Sequence, residues 1–264
     1  MSIKIAFFDI DWTLYDHAAQ RYIPSAIEAI RRLKANGVKV FLCSARPYHS
    51  QKHFGVFDLG IAWDGYIASC GAIAVVGKKT IRKLLVDKKK IRHLVKTVTS
   101  LGLTMEIVTP KSRFMVAPPN EHVASYHNVY REIVPPVHPY YNEECTGALL
   151  FAPEEYDEQL KKANPGLTFF RFHDFGVDIV QDPHEKGEAI ADILAYYGYK
   201  EEEAISFGDD YQDLSMKIST GIFVAVGNGK EEVKAQADYV TAPIAEDGIA
   251  KALVHFGLIE EEIL

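Results

Sequence analysis

From Ile3 to Phe8 the chain is apolar apart from Lys4. A run of that length without alternation reads as a strand buried on both faces. It stops at Asp9 and Asp11. A polar loop follows, and Pro24 then opens a helix with Ile27, Ile30 and Leu33 on one side, closed by Gly37. A second apolar strand covers 38–43, a helix 47–56, and a short third strand 66–69. Strand, helix, strand, helix, strand is the pattern of a parallel sheet.

The rhythm changes after Gly71. Two short strands within 72–86 flank Gly77, and a basic amphipathic helix follows near 88–100. Strands are expected at 103–109 and 113–117, a helix at 120–130, and a proline-bearing loop at 134–142. A strand at 147–152, a helix at 154–163 and strands at 167–173 and 176–180 complete a hairpin-rich α+β block. The βα rhythm resumes at Lys186, with a helix at 186–198 and a strand at 204–207. A helix at 211–218, a strand at 222–226, a turn at Gly227-Asn228-Gly229, a short helix, a strand at 238–240 and a helix at 246–256 finish it. The expected fold is α/β: a Rossmann-like parallel-sheet core from 1–80 and 184–264, with an α+β domain inserted at 81–183.

Four polar clusters fall at strand ends or helix starts. Asp9 and Asp11 come first; i and i+2 in extended chain point to one side, and open α/β sheets do their chemistry at the carboxyl ends of strands. Asp9 reads as a nucleophile toward phosphorus and Asp11 as its proton donor and acceptor. The plainer alternative is an acidic turn. Ser44 follows the second strand and can donate to a phosphate oxygen or simply cap a helix before Pro47. Lys186 begins a helix, the end that repels a cation, so something anionic should face it. Gly208-Asp209 with Asp213 four residues on makes a hard-cation site suited to Mg²⁺. Gathering these carboxylates without a cation would bury like charges together.

Composition narrows the partners. A chain of 264 residues suggests two domains at roughly 100–200 residues each. Apolar residues make up 48%, enough for a real core, and the formal charge of −7 argues against nucleic acid or an anionic membrane as partner. Cys43, Cys70 and Cys145 are odd in number and widely spaced, which suits reduced thiols rather than disulfides or zinc. Residues 1–8 enter the first strand without a signal-like segment, and no apolar run approaches ~18 residues. A cytoplasmic protein, monomeric or a weak homodimer, is expected.

Taken in order, the clusters resemble the haloacid-dehalogenase-like (HAD) phosphatases of the Cof-like branch, over essentially the whole chain. Asp9, Asp11 and Thr13 match that family's Asp-x-Asp-x-Thr, Ser44 its second motif, Lys186 its third, and Gly208, Asp209 and Asp213 its fourth. The resemblance implies that the insert is a large α/β cap choosing the substrate, a small phosphorylated metabolite. It implies Mg²⁺ held by Asp9, the Asp11 carbonyl, Asp209 and Asp213, and phosphate held by Thr13, Ser44, Lys186 and Asn228. A phosphomutase or phosphotransferase would use the same residues, and a non-catalytic phospholigand module is the rival from another class. Three departures stand out: Trp12 and Ala45 replace glycines, the latter beside a retained Arg46, and Cys70 replaces an asparagine. Trp12 reads either as an apolar wall for the leaving group or as core, and Arg46 as a substrate contact. Arg171 and His173 share a face of an aromatic strand, toward substrate or in plain alternation. His49 and His53, four apart, read as a solvated helix face rather than zinc ligands.

Overall fold

The computed structural model describes residues 2–130 and 132–261. The chain divides into two compact units, one of Met1–Arg46, Gln51–Arg82 and His184–Leu264, the other of Pro47–Ser50 and Lys83–Pro183.

In the first unit, β1 (Ile5–Phe8) is buried throughout, as its unbroken apolar run requires. The stretch read as a polar loop instead holds a small antiparallel hairpin, β2 (Tyr15–Asp16) and β3 (Arg21–Tyr22), with Tyr15 opposite Tyr22. Helix α1 (Pro24–Ala35) starts on its proline and buries Ala26, Ala29, Ile30 and Leu33. Strand β4 (Lys39–Cys43) follows. Helix α2 (Tyr48–His53) is shorter than the expected 47–56, because Gly55 turns to φ 75° and a separate single turn, Val56–Asp58, takes over. Strands β5 (Gly65–Ala68), β6 (Ile73–Val76) and β7 (Lys79–Lys83) complete this half.

The second unit opens with α3 (Lys88–Ser100), whose first turn is capped by Asp87 accepting from the Lys89 and Lys90 N–H groups. Then come β8 (Thr104–Val108), β9 (Arg113–Met115), α4 (Glu121–Tyr130), β10 (Gly147–Phe151), α5 (Asp157–Ala163), β11 (Thr168–His173) and β12 (Gly176–Val180). The five strands form an antiparallel sheet in the order β11-β12-β10-β8-β9. Ile91, Leu94 and Val98 of α3 and Leu160 of α5 pack with Met105, Ile107, Leu150, Val177 and Ile179. Met115, Leu149 and Phe151 pack with Val123 of α4. Among these apolar layers sits a buried charged group. Glu106 and Arg113 pair at 3.1 Å, Arg113 also reaches Glu132 at 2.7 Å, and His127 Nε2 lies 3.6 Å from Glu106.

The chain returns to the first unit in α6 (Lys186–Tyr197), closed by Gly198 in the left-handed region. Strand β13 (Ala204–Gly208) is followed by a single turn, Tyr211–Asp213, and the short α7 (Leu214–Ile218), where one helix over 211–218 was expected. Then come β14 (Ile222–Ala225), α8 (Glu231–Lys234), β15 (Tyr239–Val240) and α9 (Gly248–His255). The eight-stranded sheet runs β15-β14-β13-β1-β4-β5-β6-β7, parallel from β15 to β5 and antiparallel between β5 and β6. The strands expected around Gly77 are thus the edge of this core sheet. Phe8 and Phe207 are register partners and stack at 4.8 Å. Parallel pairing of β1 with β13 and β4 brings the carboxyl ends of all three together.

Candidate active site

Asp9 is the first residue past β1, and its N–H donates to the Phe207 carbonyl of the neighbouring strand. Lys186, in the first turn of α6, donates to Asp9 Oδ1 at 2.7 Å and to Asp213 Oδ1 at 2.6 Å. The anion that a lysine at a helix start demands is therefore a pair of carboxylates. Asp213 turns its other oxygen to the N–H groups of Asp209 and Asp210, at 2.9 and 3.0 Å, and so caps the turn after β13. That turn needs glycine at 208. A Cβ there would lie 2.5 Å from Asp213 Cβ. Asp210 sends its own carboxylate to Lys230, at 2.6 Å.

Carboxylate oxygens of Asp9, Asp209 and Asp213 lie within 4.8 Å of one another, and all three residues are buried. Burial raises the Asp9 carboxyl well above its ordinary range; Lys186 opposes this, and the other acids add to it. Burial and then Asp213 push Asp209 up to about 8. Lys186 itself is held charged, because Asp213 and Asp9 outweigh the cost of its burial. Once all three carboxyls are ionised, one ammonium leaves two negative charges to balance. A divalent cation with oxygen ligands fits that donor set.

The Asp11 carboxylate is turned elsewhere. Arg46 grips it as a fork, Nε to Oδ2 at 2.8 Å and Nη2 to Oδ1 at 2.7 Å, and His17 Nε2 lies 2.7 Å from Oδ1. Burial alone would raise Asp11, but the bonds from His17 and Arg46 and the Arg46 charge hold its carboxyl well below the usual range. Arg46, read from sequence as a substrate contact, is thus an Asp11 partner.

The remaining motif residues surround this centre. Thr13 donates its hydroxyl to Asp209 Oδ1 at 3.0 Å rather than standing open to a phosphate. Ser44 Oγ accepts from the Arg46 N–H at 3.1 Å, which leaves its proton free to donate. Asn228 spends both ends of its amide, on the Trp12 carbonyl at 2.8 Å and the Ile244 N–H at 2.9 Å, so it braces the loop after β1. Trp12 is 43% exposed, which removes it from the core, and it sits at φ 56°. Cys70 also adopts positive φ, 52°, where an asparagine is more at ease than a cysteine.

Two expectations meet different surroundings. Arg171 gives its guanidinium to Asp157 at 2.9 and 2.6 Å and to the carbonyls of Ala152, His173 and Asp174, so it is tied within its own unit. His173 is exposed, its ring 3.8 Å from that of Phe175. His53 is exposed as expected, but His49 Nε2 accepts from Arg113 Nε at 3.2 Å and is no solvated ring. Sequence reading missed His17 altogether. It stands in a polar stretch with no periodicity, and only the fold carries it to Asp11.

The sequence pattern of the haloacid dehalogenase-like hydrolases matches residues 6–253. This chain belongs to that family. A protein of Geobacillus kaustophilus HTA426 shares its structure at a TM-score of 0.90 with 31% identity, over 98% of this chain and 100% of that one. The sugar phosphatase BT4131, of HAD subclass IIB, is 32% identical with a TM-score of 0.78, over 97% and 100%. Phosphoglycolate phosphatase 1 of Saccharolobus solfataricus is 27% identical over 94% of this chain and 92% of its own length. The chain is accordingly an enzyme of the phosphatase kind, with the Cof-like fold. Among the described residues no helix is long and apolar enough to cross a membrane.

Proposed function

We propose that this HAD hydrolase cleaves a small-molecule phosphate monoester through an aspartyl-phosphate on Asp9. One observation carries the reading: Lys186 binds Asp9 only at Oδ1, and Oδ2 takes no hydrogen bond among the described residues. A buried carboxylate anchored at one oxygen and open at the other is a nucleophile with a fixed direction of attack. As the Asp9–phosphorus bond forms, the ester oxygen leaves and takes a proton from Asp11, which enters this step in its acid form although His17 and Arg46 favour the carboxylate. Asp11 then draws a proton from the water that attacks the intermediate, which frees phosphate and restores Asp9. Lys186 has a third N–H for a phosphate oxygen, and the Ser44 hydroxyl can give another. Mg²⁺, held by Asp9, Asp209 and the Asp11 carbonyl with Asp213 beside them, would supply positive charge to the phosphate oxygens.

The second unit, read from sequence as the cap over 81–183, is proposed to select the leaving group. A sugar phosphate is the favoured substrate class, given the activity named for BT4131. The test is phosphate release from p-nitrophenyl phosphate and a panel of sugar phosphates, with and without Mg²⁺, for the natural protein and Asp9→Asn. Turnover that survives Asp9→Asn would end the nucleophile assignment. Phosphorylated product formed on added sugar acceptors would point to transfer instead of hydrolysis.

A further inference from the structure

His17 belongs to none of the family-matched motifs, yet its ring nitrogen lies 2.7 Å from Asp11 Oδ1. With the Arg46 fork added, Oδ1 faces two donors and Oδ2 one. A carboxylate oxygen offers about two lone-pair directions. Among the described residues Oδ1 is therefore filled, and Oδ2 keeps one direction open.

Neither donor is loosely held. The Arg46 guanidinium lies 4.0 Å over the Phe54 ring, its N–H bonds Ser44 Oγ at 3.1 Å, and its carbonyl accepts from Gln51 Nε2 at 3.0 Å. The His17 ring is wedged among Tyr15, Trp12 and Phe54, with centroids at 4.9, 5.1 and 5.9 Å. A surface histidine that met Asp11 by chance would not be packed on three sides by aromatic rings.

We propose that His17 is a positioning residue for Asp11: with Arg46 it fills Oδ1, stops the carboxylate from turning, and leaves Oδ2 as the oxygen that gives and takes the proton. This rests on the acid–base reading of Asp11. The proton given to the leaving oxygen departs from Oδ2, and the proton taken from the attacking water returns there. His17 itself transfers no proton in this scheme. Its contribution is orientation, which matters only in steps where Asp11 moves a proton.

The test compares phenyl phosphate, whose leaving group benefits from a proton, with p-nitrophenyl phosphate, whose leaving group needs none. His17→Ala, His17→Gln and Asp11→Asn are measured on both esters with saturating Mg²⁺. His17→Ala is expected to lose about tenfold more kcat on phenyl phosphate than on p-nitrophenyl phosphate, with KM little moved. His17→Gln, whose amide N–H can reach Oδ1, is expected to regain most of that difference. Equal losses on the two esters, no loss, a gain in turnover, or no recovery with glutamine would each overturn the proposal. Asp11→Asn separates the two levels. If it discriminates between the esters and the His17 variants do not, only the positioning role falls; if it does not discriminate, the acid–base reading falls as well.

Discussion

Lys186 Nζ lies 2.6 Å from Asp213 Oδ1, and neither side chain reaches solvent. The pair holds α6 against the turn after β13, and Asp9 shares the same ammonium. Removing one partner of a buried pair strands the other charge, at a cost of ~3–5 kcal/mol. Lys186→Met is therefore expected to lose about that much stability in metal-free urea titrations. Saturating Mg²⁺ should return part of it, and activity should be lost throughout. Unchanged stability without metal would show that the two carboxylates do not depend on the lysine.

Metal binding should stabilise the natural protein for the same electrostatic reason. A cation that binds only the folded state adds ~2.7 kcal/mol at a hundred times its Kd. Mg²⁺ is expected to raise Tm and a chelator to reverse the rise, with Asp209→Asn removing most of the response. A Tm indifferent to Mg²⁺ in the natural protein would leave the acid triad without a resident cation.

Trp12 combines an exposed indole with φ 56°. Left-handed backbone costs a non-glycine residue ~1–2 kcal/mol, whereas glycine is free there but loses more chain entropy on folding. Trp12→Gly should thus leave stability within about 1 kcal/mol. Its kcat/KM should fall unequally across esters with different leaving groups, if the indole forms part of their wall. A loss of ~3–5 kcal/mol with an unchanged substrate profile would show that the indole serves packing and not substrate choice.

Glu106 gives a pH signature remote from the acid triad. Burial pushes its carboxyl from an ordinary 4.5 up to about 7, against the pull of Arg113. The folded state thus holds the proton more tightly than the unfolded chain. The associated stability is present below pH 4.5 and is lost as pH rises through 7. Glu106→Gln should gain ~3 kcal/mol on the natural protein across that window. Arg113, Glu132, His127 and Asp178 also act on this site and remain in both proteins. His127, pushed down to about 4 chiefly by burial, works in the opposite sense and cancels in the difference. Parallel urea titrations of the two proteins with pH would settle it, and a flat difference would mean that Glu106 stays ionised throughout.

The sequence made the sheet readable because β1, β4 and β13 are buried on both faces, and such strands write themselves as unbroken apolar runs. The positions of Asp9, Ser44, Lys186 and Asp209 follow from those strands and helix starts. What the side chains do there was less legible. Thr13 and Asn228 both sit where the motifs put them, yet their polar atoms serve Asp209 and the Trp12 carbonyl. Arg171 alternates as a strand residue should, but its partner Asp157 comes from α5, a pairing no local pattern announces. The β2–β3 hairpin is only two residues a side, too short for periodicity to register, and it is the element that brings His17 close to Asp11.

The catalytic sheet joins segments that are distant along the chain, and this sets when the enzyme can first exist. Thr13 and Asp209 are 196 residues apart, and Asp9 and Lys186 are 177. At ~5–20 residues per second on the ribosome, about 10–40 s separate the synthesis of β1 from that of β13. For most of that interval Asp9 has no lysine, β1 has one unpaired edge throughout, and an exposed strand edge invites pairing with other chains. The second unit draws its strands from a compact stretch of the sequence and has no such wait. The acid cluster is therefore completed late, once β13 and the turn after it have joined β1, so a ribosome stalled before that strand leaves a nascent chain that carries Asp9 without Asp209 and Asp213.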